Sequence, residues 1–282
     1  MLVLPALAVL AFVLIVPALQ GVYYSLTNWD GVSPTFDFVG FANYVTLFSD
    51  PAAFSATLRT IGFAAAIAVF QTGVGLLLAT VLSNTILGKS AYKTIFFMPV
   101  VILSVACAFI WQFILAPGQG ALNQILTAIG LENLRSAWLS DPVSAAVAIV
   151  VVVVWQQAGI SMAIYLAGFE AIPRDVYEAG ALDGAGRFRT FFSIEMPMLA
   201  PATAASLLIS LVYGLRMFDQ ILILTGGGPV TATQTLSILL YRTTFQYSQF
   251  GMGSTIAVIL AVVVFVFAFI QQKWLSPRSL NA

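Results

Sequence analysis

Charged side chains are missing from long stretches of this chain and crowd into short ones, and that spacing predicts its elements. An apolar helix needs about 20 residues to cross a hydrocarbon layer about 30 Å thick. Six windows meet that length, at residues 1–26, 60–83, 94–115, 143–168, 199–224 and 251–272. The fifth is interrupted by Arg216 and Asp219. The first has no basic segment before it, is too long for the apolar part of a secretory signal and is followed by no small-residue cleavage site, so it reads as a span. Between the first two windows, Phe41, Tyr44, Val45, Leu47 and Phe48 fall at helical spacing and predict a helix lying along an interface. After the fifth, "LTGGGPVTATQT" cannot continue a helix, because it holds three glycines and a proline. The glycine run hints at backbone that another group approaches closely.

Composition turns these windows into a class. Sixty per cent of the 282 residues are hydrophobic and 8% are charged, against about 25% charged in an ordinary globular domain. So little polar surface cannot cover a soluble core of this size. The chain reads as an all-α polytopic membrane protein, one domain over residues 1–282. Eleven basic and eleven acidic residues cancel, which leaves no electrostatic footprint for nucleic acid. No histidine and one cysteine, Cys107, exclude disulfides and Cys/His metal sites. No paired catalytic constellation stands out, and no GxxxxGK[ST] phosphate loop is present, so the chain reads as neither an enzyme nor an ATPase. If both termini share one side of the membrane, that side carries Lys89, Lys93, Arg174, Arg187, Arg189, Lys273 and Arg278, and the other carries Arg59, Arg135 and Arg242. Positive charge collects on the cytoplasmic side, which places both termini there.

The same rule makes residues 171–197, "AIPRDVYEAGALDGAGRFRTFFSIEMP", a cytoplasmic segment. Pro173 suits a helix start, Asp175 and Glu178 complement the N-terminal dipole, and Gly184 suits the left-handed position that ends a helix. Val176, Ala179, Gly180 and Leu182 form a narrow face of small and apolar residues. A second segment follows, anchored by Phe188, Phe191, Phe192 and Ile194. Two readings stand side by side: a solvated connector between spans, and a docking element for a soluble partner.

Glu178-Ala179-Gly180, then Gly184, Ile194 and Pro197, resembles the EAA loop of binding-protein-dependent ABC importer permeases. "AIPRDVYEAGALDGAGRF", "MFDQILILTGGGP" and "LYRTTFQ" resemble the carbohydrate-importing, maltose-permease-like branch. The resemblance implies the type I importer permease fold, with six transmembrane helices and a cytoplasmic coupling helix. It implies that Tyr177, Glu178, Ala179, Gly180, Asp183, Gly184 and Ala185 couple to an ATPase subunit dimer, which holds the ATP and Mg while this chain holds no cofactor. It also implies a second permease subunit, an extracytoplasmic sugar-binding protein and a place in the bacterial cytoplasmic membrane. The implied function is import of a di- or oligosaccharide. A glycerol-phosphate or other polyol importer is the alternative, and an ion-coupled secondary carrier the rival class. Two positions depart from the pattern. Gly180 stands where Ala is usual, which weakens the helix by about 1 kcal/mol, and Met196 stands where Leu is commoner.

Polar residues inside spans are the candidates for a solute path. The fourth window offers Gln156, Gln157 and Ile160; the fifth offers Ser210, Tyr213, Gly214 and Met217, spaced i, i+3, i+4, i+7 so as to share a helix face. The family resemblance points to the same two spans. The competing reading is that the small residues Ser210, Gly214 and Gly159 serve helix packing. Arg216 and Asp219, three apart, read as an intramembrane ion pair.

Overall fold

The computed structural model describes residues 4–83 and 88–275. Residues 1–3 of the first window and Arg278 lie outside the described residues. The described chain is helical apart from turns and one isolated bridge, Thr27 to Phe38. We number the helices α1 (Pro5–Tyr24, with a π-helical turn at Ala11–Ile15), α2 (Ala42–Ser49), α3 (Pro51–Ser83), α4 (Lys89–Val101), α5 (Ser104–Ile114), α6 (Ala121–Ala128) and α7 (Pro142–Glu170). They continue as α8 (Arg174–Leu182), α9 (Arg187–Met198), α10 (Ala200–Leu215), α11 (Asp219–Leu224), α12 (Leu236–Tyr241) and α13 (Phe250–Leu275).

Among the described residues, α1, α3, α7 and α13 are each long and apolar enough to cross a membrane. Two bent pairs supply two more crossings if each is one span: α4 with α5, bent by 96°, and α9 with α10, bent by 65°. The third window is therefore not one straight rod. Pro99 lies in the last turn of α4, and its ring removes a backbone donor and crowds the preceding turn. Ile102 and Leu103 are extended, with ψ of 129° and 132°. The fifth window stops as a helix at Leu215, and residues 216–218 are non-helical before α11. The second begins earlier than its charge-free stretch suggests. Asp50 accepts from the Ala52 amide at 2.8 Å and fixes the start of α3 before Arg59.

The centre of the bundle is α3 packed on α7 and α10. Small residues permit this. A methyl group at Gly214 of α10 would lie 2.7 Å from the Ala64 Cα of α3, and one at Gly75 would run into Ser161 of α7. A buried apolar cluster joins Phe63 and Ile67 to Cys107, Ile149, Val152, Met217 and Ile221, drawing on α3, α5, α7 and α11. A second cluster, with Leu82, Tyr165, Phe169 and Leu199, closes the end of the bundle from which α8 emerges. There Lys93 of α4 approaches Glu170 of α7 at 3.8 Å. At the other end the glycine run is closely approached, by Arg242. Its guanidinium donates to the Gly226 carbonyl at 2.7 Å and to the Gln234 side chain at 3.0 Å.

Candidate functional site

Both helix breaks open onto one cavity of about 590 Å³, walled by Ser104 at one break and by Tyr213, Arg216, Phe218, Asp219 and Gln220 at the other. Its depth follows from α7. Gln156 stands midway along Pro142–Glu170, about 20 Å from either end at 1.5 Å per residue. Its Nε2 donates to the Ile102 carbonyl at 2.8 Å, and its Oε1 accepts from Gln220 Nε2 at 3.1 Å. The Gln220 amide also donates to the Tyr213 hydroxyl at 2.6 Å. The chain Ile102–Gln156–Gln220–Tyr213 thus ties the two breaks together at mid-depth. Its cause is the backbone itself. Broken helices leave carbonyls without intrahelical donors, which a membrane interior tolerates only where side chains or a cavity serve them. Both glutamines are 1% exposed. Because Tyr213 oxygen accepts from Gln220, its own proton is left to donate to another acceptor.

Arg216 and Asp219 do not form the predicted ion pair. The only ion pair within 4.0 Å among the described residues is Lys93–Glu170. The i, i+3 geometry needs a continuous helix, and the helix ends at Leu215. Arg216 instead caps the C-terminus of α10 while Asp219 opens α11. Each charge faces the helix pole that favours it, worth about 0.3–1 kcal/mol. Both line the cavity, and Arg216 is exposed within it.

The second feature is the loop after α7. In α8 the chain ends as the sequence predicts, with Gly184 left-handed at φ +70°. The Ala185 amide donates to the Gly180 carbonyl at 2.9 Å and the Gly184 amide to that of Ala181 at 3.1 Å, a double-bonded helix stop. Glu178, Ala179, Ala181, Asp183 and Gly184 are exposed. Beside them Leu182 is 90% and Phe188 82% exposed, apolar surface that nothing among the described residues covers. Gly180 points the other way. It is buried, and a methyl group there would meet Ile194 Cδ1 at 2.7 Å, so its small size serves the seam between α8 and α9 rather than an external surface. Tyr177 lies on the same inner side. Burial and the neighbouring Glu195 carboxylate push its hydroxyl pKa up to about 12, which keeps it neutral.

Residues 71–281 match the family of binding-protein-dependent transport system inner membrane components. The chain belongs to this family. It is similar over 272 residues, at 37% identity, to the probable ABC transporter permease protein YurN of Bacillus subtilis, covering 96% of this chain and 93% of that one. The multiple sugar-binding transport system permease protein MsmF of Streptococcus mutans is 34% identical over 257 residues, or 91% and 88% of the two chains. In structure the chain superposes with a TM-score of 0.85 on a bacterial ABC transporter involved in the import of the acidic polysaccharide alginate, at 25% identity, covering 99% of this chain and 94% of that one. The all-α fold is that of an ABC importer permease, a membrane transport subunit and not an enzyme.

The predicted path residues of this permease divide. Tyr213 and Met217 line the cavity, Met217 with only 3% exposure because it also packs in the apolar core. Gln156 braces the wall from behind. Ser210 is fully buried and donates to its own helix at Ser206, and Gly214 is spent on α3. The Gln157 carbonyl accepts from Gln71, one rung of a buried polar ladder. Gln71 also donates to Ser161, which accepts from Ser206, itself bonded to Thr72. That ladder joins α3, α7 and α10. Gln157, Ile160, Ser210 and Gly214 lie outside the cavity lining. The predicted face divides at Ser210 and Gly214, which turn to neighbouring packing inside the helix, while Met217 reaches the cavity from the non-helical residues past Leu215. Sequence reasoning missed Ser104, Phe218 and Gln220. Gln220 had a signal, an amide inside the apolar run "DQILIL". Ser104 had none, since its place depends on the bend at Ile102.

Proposed function

We propose that this permease forms half of the translocation path of an ATP-driven carbohydrate importer in a bacterial inner membrane, its whole length one transmembrane domain. The observation that carries the reading is the mid-depth cavity, where Tyr213 offers a ring face to apolar sugar C–H groups and a hydroxyl proton to a sugar oxygen. Polar side chains presented from broken helices near mid-membrane are what a transported solute requires. The sugar-binding name of the Streptococcus relative and the alginate importer support a carbohydrate. The remaining lining supplies hydrogen-bonding partners from Ser104, Asp219 and Gln220.

The end bearing α8 faces the cytoplasm, where Lys89, Lys93, Arg174, Arg187 and Arg189 gather, and both termini lie on that side. The exposed face of α8, with Glu178, Ala179, Asp183 and Gly184, docks in an ATPase subunit of a dimer that holds ATP and Mg. A second permease subunit completes the path, and an extracytoplasmic sugar-binding protein delivers the solute. The route of force is mechanical. Gly180 and Ile194 interlock α8 with α9, and α9 turns through the 65° bend into α10, whose far end carries Tyr213. Moving α8 therefore moves a wall of the cavity, as alternating access between two rigid states requires.

The test is uptake of labelled di- and trisaccharides into proteoliposomes containing the permease with its partner subunits and binding protein. ATP-dependent uptake of a sugar is expected, with Tyr213→Ala raising KM at least about tenfold through loss of a ring and a hydrogen bond. Uptake driven by an ion gradient without ATP would instead make the protein a secondary carrier. Unchanged KM in Tyr213→Ala would remove the cavity from the path.

A further inference from the structure

The cavity holds two charged side chains without ion-pair partners among the described residues, and they are not equally exposed. Arg216 is exposed into it, donates no side-chain hydrogen bond and has no carboxylate within ion-pair distance among the described residues. Asp219, part-buried, likewise has no ion-pair partner. The Arg216 guanidinium stands beside the mid-depth Tyr213–Gln220–Gln156 chain, where an anionic group entering the cavity would meet an unpaired positive charge. A guanidinium presents planar paired donors that fit a carboxylate or a phosphate with two parallel bonds. Asp219, an acceptor when ionised, can take hydrogens from hydroxyl groups.

We propose that Arg216 is a specificity-determining residue that receives an anionic group on the carried solute, so that the permease transports a polyhydroxylated acid: a uronate sugar or a polyol phosphate. The assignment rests on the cavity being the path of a carbohydrate or polyol solute, and it adds the charge which that solute carries. Arg216 grips the anion, Tyr213 packs against the carbon skeleton, and Asp219 accepts from hydroxyls. A neutral sugar would leave the guanidinium unmatched, and an amino sugar would set an ammonium beside it.

The experiment measures binding to the permease with its partner subunits, in phosphatidylcholine nanodiscs, by saturation-transfer NMR. The probes are glucuronate, glycerol 3-phosphate, glucose and glucosamine. Glucuronate or glycerol 3-phosphate is expected to saturate at about tenfold lower concentration than glucose, as a charge-assisted bond implies. Arg216→Gln should bring the saturating concentration of the anions to that of glucose on the same variant, and Arg216→Lys should restore part of the preference. Whichever anion saturates first tells carboxylate from phosphate. Equal affinity for anions and glucose, an unaltered preference in Arg216→Gln, or tighter binding of glucosamine would each overturn the assignment. In those cases Tyr213-dependent glucose binding would leave the carbohydrate reading standing. No Tyr213-dependent signal from any probe would bring down both.

Discussion

Replacing Gln156 with leucine tests whether the amide chain holds the cavity wall together. In the native protein Gln156 Nε2 provides the one hydrogen bond that the Ile102 carbonyl accepts among the described residues, and Gln156 Oε1 accepts from Gln220. Leucine matches the volume but supplies neither. Gln220 keeps Tyr213 as an acceptor, so its loss is one bond, about 0.6 kcal/mol on the average for hydrogen bonds between membrane helices. The Ile102 carbonyl is different. It sits at a break, outside both α4 and α5, with no helical donor to fall back on, and a buried group left unpaired costs about 1–3 kcal/mol. The carbonyl term dominates, and the total is about 2–4 kcal/mol. The control is Gln157→Leu, one residue along the same helix, where the recorded bond is made by the backbone carbonyl and survives the substitution. Thermal unfolding of the two variants side by side, followed by tryptophan fluorescence, reads the difference as several degrees in midpoint, at about 2–4 °C per kcal/mol. If Gln156→Leu and Gln157→Leu unfold together, the break is not held by the amide and this account of the wall fails.

Two further sets of substitutions probe the docking loop and the packing glycines. Glu178→Lys and Gly184→Val should leave assembly in the membrane intact and separate ATP hydrolysis from transport, the second because a β-branched residue in the left-handed position costs about 1–2 kcal/mol of strain; normal coupled uptake by both variants in proteoliposomes would refute the docking role. Gly180→Ala should be neutral or slightly stabilising, since its obstacle is the movable tip of Ile194 and alanine gains about 1 kcal/mol of helix propensity. Gly214→Ala should destabilise, because its obstacle is the Ala64 backbone of α3, which cannot turn aside. Comparing their unfolding midpoints decides whether the two glycines are used differently.

Much of this architecture is legible in the chain. The charge-free windows find α1, α7 and α13 to within a few residues, because lipid and core impose the same apolar demand. Gly184 announces its left-handed turn in advance, since the end of a helix is a local decision. What sequence leaves dark is whatever depends on the path of a neighbour. The bend after Val101 cannot be placed from Pro99 alone, because proline inside a span kinks some helices and not others. Once the bend is missed, Ser104 and the role of Gln156 are missed with it. Periodicity carried Met217, Arg216 and Asp219 onto one continuous helix that in fact stops at Leu215. The small residues of the fifth window were readable as solute-facing or as packing, and Ala64 of α3, distant in sequence, packs directly on Gly214.

The interruption at residues 216–218 has a consequence for how such a protein can change. Residues that face the cavity there lie between helices, and the exposed one among them, Arg216, contributes nothing to the ladder that binds α3, α7 and α10. On the proposal that Arg216 receives the solute, substitutions at that position alter which molecule is accepted without disturbing how the bundle assembles. A scaffold built this way separates the task of standing in a membrane from the task of choosing cargo, and lets a lineage retune the second while the first is left alone.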